Sequence, residues 1–445
     1  MEEYKDSGNT WIRNIPNDWD IIRINDIKNK KSFYPIGDGD HGSISPDEYL
    51  DEGIPYIRVQ NLSWGKGINY NGMVYISEKT NNANKKSILK PGDILVAKTG
   101  ATIGKIAIIP NDMKIANTTS SVGKVTLDTN IVFIKYVYYC LLSDVGIEQM
   151  WDKANMKSAQ PGYNIDELIK FYIPFPNIKE QQQIADFLDD KIGKIDKILK
   201  DLNKQIEILN NYKKSIITEA VTKGLDINVE YKNSGIDWIG NIPKKWQIKR
   251  LKYLGTSRNG LTYSPENIVD EDNGILVLRS SNIQSGKLDY HDNVYVNCKV
   301  PVNLLLKKND LLICSRNGSR NLIGKNALID NSSIGNTFGA FMCVFRGEYN
   351  KYIYYIMNSY LFDNYLNSFL TSTINQLTNS NLGNIKVPFT YDIIEQQKII
   401  SYLDDKCSNI DKTIQIKKNQ IDKLENYKKS LIYEYVTGKK RVKEE

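Results

Sequence analysis

The chain has little of what enzymes usually build a centre from. Of 445 residues only two are histidines, His41 and His291, too few for most histidine-based triads or metal sites. Its five cysteines (Cys140, Cys298, Cys314, Cys343, Cys407) are odd in number, far apart and without a C-x-x-C pair. They support neither a disulfide framework nor a zinc site and read as reduced, mostly buried thiols of a cytoplasmic protein. Long apolar runs are missing too: the longest, IVFIKYVYYCLL from Ile131, is too short to span a bilayer and carries Lys135. The start, MEEYKDSGNTW, is acidic and polar, unlike a signal peptide.

Nucleotide and methyl-transfer motifs are equally scarce. GATIGKI, from Gly100, has three residues between its glycines and Ile106 after the lysine, where a phosphate loop needs four and a hydroxyl. It reads as a glycine turn between strands. PGDILVAK lacks the second carboxylate of a nuclease core, and no glycine-rich adenosylmethionine loop or Asn/Asp-Pro-Pro-aromatic motif is found. The net charge of +7 and pI near 8.8 permit a nucleic-acid partner without demanding one.

What is abundant is self-similarity. YKDSGNTWIRNIPNDWDIIR from Tyr4 returns as YKNSGIDWIGNIPKKWQIKR from Tyr231, GIPYIRVQNLSWGKG from Gly53 as GILVLRSSNIQSGKL from Gly274, and LKPGDILVAKTGATIGKIAII from Leu89 as LKKNDLLICSRNGSRNLIGKNALI from Leu306. EQQQIADFLDDKIGKIDK from Glu180 returns as EQQKIISYLDDKCSNIDK from Glu395, a shift of 395 − 180 = 215. The chain is a tandem duplication of a globular portion followed by a long helix.

Within the globular portions, DILVAK, KIAII, ILVLR and DLLIC are short apolar runs bounded by Gly, Asn, Asp and Pro, which predicts strands and turns. FIKYVYYCLL and KYIYYIMNSYLFDNYL predict packed helices, and Asn164 with Glu167 a short capped one. The long helices open at Asn177-x-x-Glu180 and Asp392-x-x-Glu395 and stop at Gly224 and Gly438. Leu188, Ile192, Ile195, Leu199, Leu202, Ile206 and Leu209 step by four and three, a heptad seam. The second seam is Leu403, Cys407, Ile410, Ile414, Lys417, Ile421 and Leu424, broken at Lys417 with Ile416 beside it. Rods of this length need a partner. Packed antiparallel they bury each other's seams, and the halves become related by a pseudo-two-fold axis.

The expected fold is therefore α+β: two tandem mixed α/β domains separated by two long antiparallel helices in a coiled coil. The divisions are 1–178, a first globular domain; 179–224, a long helix; 225–393, a second domain; 394–438, a second helix; and 439–445, a charged tail.

Taken together, WIRNIPNDW and WIGNIPKKW at the domain starts, GDGDHG from Gly37, KPGDILVAKTGATIGK with its weaker partner KKNDLLICSRNGSRNLIGK, and the EQQ helix openings resemble the specificity subunits of Type I restriction-modification systems. The resemblance covers nearly the whole chain. It implies two target-recognition domains, each reading one half of a split double-stranded DNA sequence, with the paired helices as a ruler. It also implies no catalysis and no cofactor in this chain. Methylation and cleavage, with adenosylmethionine, Mg and ATP, fall to partners: two modification subunits, with restriction subunits an open further partner, and no membrane. The second domain lacks the GDGDHG and KTGATIG wording, which leaves open which of its loops face DNA.

The duplication sorts candidate DNA contacts. Positions alike in both halves serve the fold or the uniform phosphate backbone: Arg58 and Arg279, Asn61 and Asn282, Lys66 and Lys287, Lys105 and Lys325. Each has a plain alternative, a surface charge or, for the asparagines, a turn cap. Positions that differ can read different bases: Lys98-Thr99 against Ser315-Arg316-Asn317 with Arg320 nearby, and Thr118-Thr119-Ser120 against Thr337-Phe338-Gly339. His41 sits in a glycine-rich loop that can approach DNA or remain solvated. Trp11, Trp19, Trp238 and Trp246, fixed beside Ile-Pro, are expected to pack rather than stack on bases. NYKKS, in both helices, is a solvated face or a docking point for partner subunits. Two other readings stay open: a methyltransferase or nuclease with an unrecognised centre, and a coiled-coil scaffold for proteins.

Overall fold

The computed structural model of the chain describes residues 3–156, 161–369 and 375–442. It divides into two compact units, residues 1–201 with 419–445, and residues 202–418. The expected divisions at 178/179 and 393/394 coincide with helix starts, whereas the compact units part within the helices, so each unit holds a globular head and half of each helix.

The head of unit 1 is built on a four-stranded antiparallel sheet in the order Ile36–Asp38, Val122–Val125, Ile94–Ala97, Ile106–Ile108. Its central run ILVA is apolar at every position because both faces of the sheet are covered. Ile94 and Val96 join the core made with the helices Ile134–Leu142 and Asp144–Asn155, while Leu95 and Ala97 join a second cluster with Ile57, Leu62 and Leu89. A second sheet, Val74–Ile76, Ile54–Ile57 and Asn117–Thr118, includes a parallel pairing of Ile57 with Thr118.

Unit 2 repeats this plan. Its sheet runs Thr256–Asn259, Met342–Arg346, Leu311–Cys314, Asn326–Leu328, and Leu311 and Ile313 again face one core while Leu312 and Cys314 face another. Leu278 pairs in parallel with Phe338. The predicted helix over KYIYYIMNSYLFDNYL is two, Asn350–Met357 and Tyr360–Phe369, parted at Asn358 and Ser359. The short helix Ile165–Leu168 carries the capping box read from Asn164 and Glu167.

Each head is closed by its two chain ends: Tyr172–Phe175 pairs with Asp20–Arg23, and Lys386–Phe389 with Gln247–Arg250. The long helices Ile178–Lys223 and Ile393–Val436 follow directly. At about 1.5 Å per residue each is roughly 65–70 Å long. Asn177 and Asp392 accept from the amides of Glu180 and Glu395, as the caps required. The glutamates reach the domain-start tryptophans: Trp19 Nε1 donates to Glu180 Oε2 at 3.1 Å and Trp246 Nε1 to Glu395 Oε1 at 2.9 Å. That bond explains why W and EQQ recur together, since each locks a head onto its helix. Trp19 and Trp246 are core residues. Trp11 is half-buried under Lys153, and Trp238 is exposed and edge-on to Tyr365.

Antiparallel packing is visible inside each unit. In unit 1 Lys428 on the second helix pairs with Asp196 on the first at 2.6 Å; in unit 2 Lys213 on the first pairs with Asp411 on the second, also at 2.6 Å. The 215-residue shift carries Asp196 onto Asp411 and Lys213 onto Lys428, so each pair is the repeat image of the other with the helices exchanged. Leu188, Ile192, Ile195 and Leu202 are buried, as are Leu403, Cys407, Ile410 and Ile414. Lys417 keeps its seam position, half-buried, with Nζ on Gln205 Oε1, while the neighbouring Ile416 is 59% exposed. Gly224 and Gly438, at φ 74° and 69°, end the helices in the left-handed region that favours glycine. The Gly224 Cα lies where a Cβ would meet Trp246, and that of Gly438 where one would meet Trp19. The end of one helix and the start of the other thus meet at one tryptophan in each unit.

Candidate nucleic-acid interface

Sheet direction gathers half of the candidate residues at one edge of each head. Ile36–Asp38 and Ile94–Ala97 both run antiparallel to Val122–Val125, so the loop after Asp38, the loop after Ala97 and the turn before Val122 meet at one end of the sheet. This rim carries His41, Lys98, Thr99, Thr118 and Ser120. In unit 2 it carries Arg316, Asn317 and Arg320, with the turn before Met342.

The rim is pinned by Gly39. A Cβ there would sit 1.9 Å from the Thr118 carbonyl oxygen, and at Gly260 one would sit 2.2 Å from that of Phe338. The GDGDHG segment therefore does have a counterpart, Asn259-Gly260-Leu261, recognisable by the glycine that the close approach requires. Aligning the heads by strand pairing also corrects the register of the turn. Tyr56 faces Asn117 as Val277 faces Thr337, so Asn117, not Thr118, is the counterpart of Thr337. Thr118, Ser120 and Ser121 then answer Phe338, Ala340 and Phe341. The matching Asn-Thr letters in the two turns mislead by one residue.

The corrected alignment shows why Lys98 and Ser315 differ. Lys98 is buried, its Nζ 2.6 Å from Asp38 Oδ2, and that carboxylate also lies 3.2 Å from His41 Nε2. In unit 2 the same two positions are Asn259 and Ser315, and the buried Ser315 turns its hydroxyl onto the Phe341 carbonyl at 3.0 Å. Charge is exchanged for charge's absence at both members of the pair. Likewise Asp40, which accepts from the Tyr56 hydroxyl, becomes Leu261, which packs with Val277 in place of Tyr56. Burial and the Asp40 carboxylate push the Tyr56 phenol far above its ordinary range. A third exchange sits below the rim: Asp93 accepts from Thr126, and its counterpart Asp310 binds Arg346, with Nε to Oδ1 at 2.8 Å. Burial raises the Asp93 carboxyl despite the hydrogen bonds and Lys124 pulling it down; the Asp310 hydrogen bond raises Arg346. Lys98 and Thr118 thus serve the fold, Thr118 donating its hydroxyl to the Ile57 carbonyl at 2.8 Å.

The shared asparagines are turn caps. Asn61 accepts from the Arg58 amide and donates to the Asn69 carbonyl; Asn282 accepts from the Arg279 amide and donates to the Asp289 carbonyl, and both side chains are buried. Arg58 Nη2 donates to the Gly72 carbonyl and Arg279 Nη2 to that of Asp292, so these guanidiniums brace the same turn in each copy.

The shared lysines lie elsewhere. Lys66 and Lys105 line a cleft of about 900 Å³ in unit 1 beside Asp196 and Lys428, and Lys287 and Lys325 line one of about 930 Å³ in unit 2 beside Asp411 and Lys213. The clefts are repeat images. Lys66 and Lys287 are exposed, and Lys325 lies within 3.4 Å of the Ser280 carbonyl and Gln284. NYKKS belongs partly to this junction: Lys213 and Lys214 pair with Asp411 and Asp363.

On the rims, His41 is 76% exposed, Thr99 and Ser120 are half-buried, and Arg316 and Arg320 are exposed. Arg320 is 3.4 Å from Asn367 Oδ1, and Asn317 donates to Ser280 at 3.3 Å. Sequence reading missed Phe341, 61% exposed on the rim with the Arg316 guanidinium 5.5 Å above its ring. Only the strand register could have pointed to it. Among the described residues no group of three or more His, Cys, Asp or Glu is placed to hold a metal, and no helix is long and apolar enough to cross a membrane.

The two heads thus share one duplicated frame and carry two differently furnished rims. The family model for the Type I restriction modification DNA specificity domain matches residues 16–208 and again 243–426, and the chain belongs to that family as a specificity subunit with the domain in two copies. It is 27% identical over 446 residues, 96% of this chain and 94% of the relative, to the Type I restriction enzyme MjaVIII specificity subunit of Methanocaldococcus jannaschii. Over 207 residues, 46% of this chain and 42% of the relative, it is 28% identical to the EcoBI specificity subunit of Escherichia coli. A chain from a solved structure concerned with complex assembly and conformational transition of the type I R-M system shares the fold, with a TM-score of 0.69 at 13% identity, covering 95% of this chain and 98% of that one.

Proposed function

We propose that this chain is the DNA-reading, non-catalytic component of a Type I complex in the cytoplasm, each head taking one half of an asymmetric, two-part duplex site. The observation that carries this is the contrast between halves: one frame, repeated down to its tryptophan locks and helix ion pairs, bears two chemically different rims. A frame shared by both heads suits the phosphate backbone, and rims that differ suit different bases. His41, Thr99 and Ser120 are assigned to one half-site, and Arg316, Asn317 and Arg320 to the other. Lys66, Lys105, Lys287 and Lys325 are assigned to phosphates. Methylation, with adenosylmethionine, belongs to two modification subunits; cleavage, with Mg and ATP, belongs to restriction subunits where these accompany them. Each long helix runs unbroken through parts of both units, which supports its use as the spacer ruler.

The test is duplex binding by the chain with its modification partner across a salt series. Lys66→Ala should weaken all duplexes about equally and lower the salt slope by about 1. Adenosylmethionine turnover by the purified chain alone, or binding indifferent to both salt and sequence, would contradict the proposal.

A further inference from the structure

We infer that Arg316, backed by the exposed ring of Phe341, reads a guanine in the half-site taken by the second head. This rests on the DNA-reading function proposed above and goes beyond it in naming a residue pair and a base.

Three observations meet at this point. Phe341 is 61% exposed on the rim. Its burial contributes little to the fold, and the corresponding residue of the first head is Ser121. The backbone under it is nevertheless fixed: the Phe341 carbonyl accepts from the amides of Ser315 and Arg316 and from the Ser315 hydroxyl, all at 3.0 Å. On the other side, Leu377 N donates to the Ser315 carbonyl at 2.7 Å, and Arg316 bridges Gln376. An exposed aromatic is thus displayed on a rigid platform.

The guanidinium lies over that ring, 5.5 Å from its centroid, and among the described residues its side chain has no hydrogen-bond acceptor. Stacking on an aromatic face holds the plane while leaving the N–H fork at its edge. That fork matches the O6 and N7 acceptors of guanine in the major groove, and the ring can contact a neighbouring thymine methyl. Its competitors on the rim are engaged elsewhere, Arg320 with Asn367 and Asn317 with Ser280. The first head has only Thr99 and Ser121 at these positions, hydroxyls without a fork, so the guanine requirement belongs to one half-site.

The experiment selects bound sequences from a randomised duplex pool, using the full chain with its modification partner, for the wild type and for Arg316→Ala, Arg316→Lys and Phe341→Ala. The wild type should require guanine at one position of one half-site. Arg316→Ala should relax that position by about 10- to 100-fold and leave the other half-site intact. Arg316→Lys, which keeps charge and exposure, should relax the same position without changing the salt slope. Phe341→Ala should weaken that position or its neighbour. Unchanged preferences in the arginine variants, or an even loss over all duplexes, overturns the assignment while the two-headed function stands. A wild type with no positional preference overturns both.

Discussion

At the residue scale, a difference between the two heads is informative only once its buried partners are known. Lys98 and Ser315 differ in the sequence and invite a reading as base contacts, yet each is buried on a partner of its own, Asp38 or the Phe341 carbonyl. Removing one member of a buried pair leaves an uncompensated charge, whereas removing both does not. Lys98→Ser should therefore cost about 3 kcal/mol, and adding Asp38→Asn, which puts the second head's residues at both positions, should recover roughly half of it or more. Hydrogen-exchange protection of Ile94–Ala97 reads the effect locally; losses that simply add would contradict the coupling. The helix caps at Asn164 and Asn177, the short apolar strands and the tryptophan packing at Trp19 and Trp246 were legible from sequence because their signals are local. The partner of Lys98 was not, being 60 positions away, and Phe341 was hidden by a one-residue slip between matching letters.

At the element scale, the long helices were the most legible feature, since caps, heptad steps and terminal glycines all report on the same segment. The seam break at Lys417 was legible as well, and the structure adds its resolution. The side chain stays in the seam and reaches Gln205, and Ile416 does not replace it. The repeat itself supplies the apolar alternative, because the 215-residue shift places Leu202 at this position. Lys417→Leu should stabilise the helix pair by about 1 kcal/mol, seen as slower amide exchange in Leu202–Lys223. Faster exchange would mean that the lysine holds the pairing in place. The glycines Gly39 and Gly260 show the opposite case. Each is demanded by a close backbone crossing that no local pattern announces, and only one of them sits in recognisable wording.

At the scale of the molecule, duplication followed by divergence lets one chain hold two non-identical reading surfaces on one plan. The tandem architecture was legible because whole cycles of motifs recur in order. Which loops form the rims was not, because that depends on strand direction and register. The central claim is that the heads read independently. The most direct test replaces residues 1–178 with the head of a related specificity subunit and maps methylated bases genome-wide in cells that also express the modification partner. The account predicts that one half-site changes while the other half-site and the spacer length are kept. A folded chimera that alters both half-sites, or neither, would contradict it.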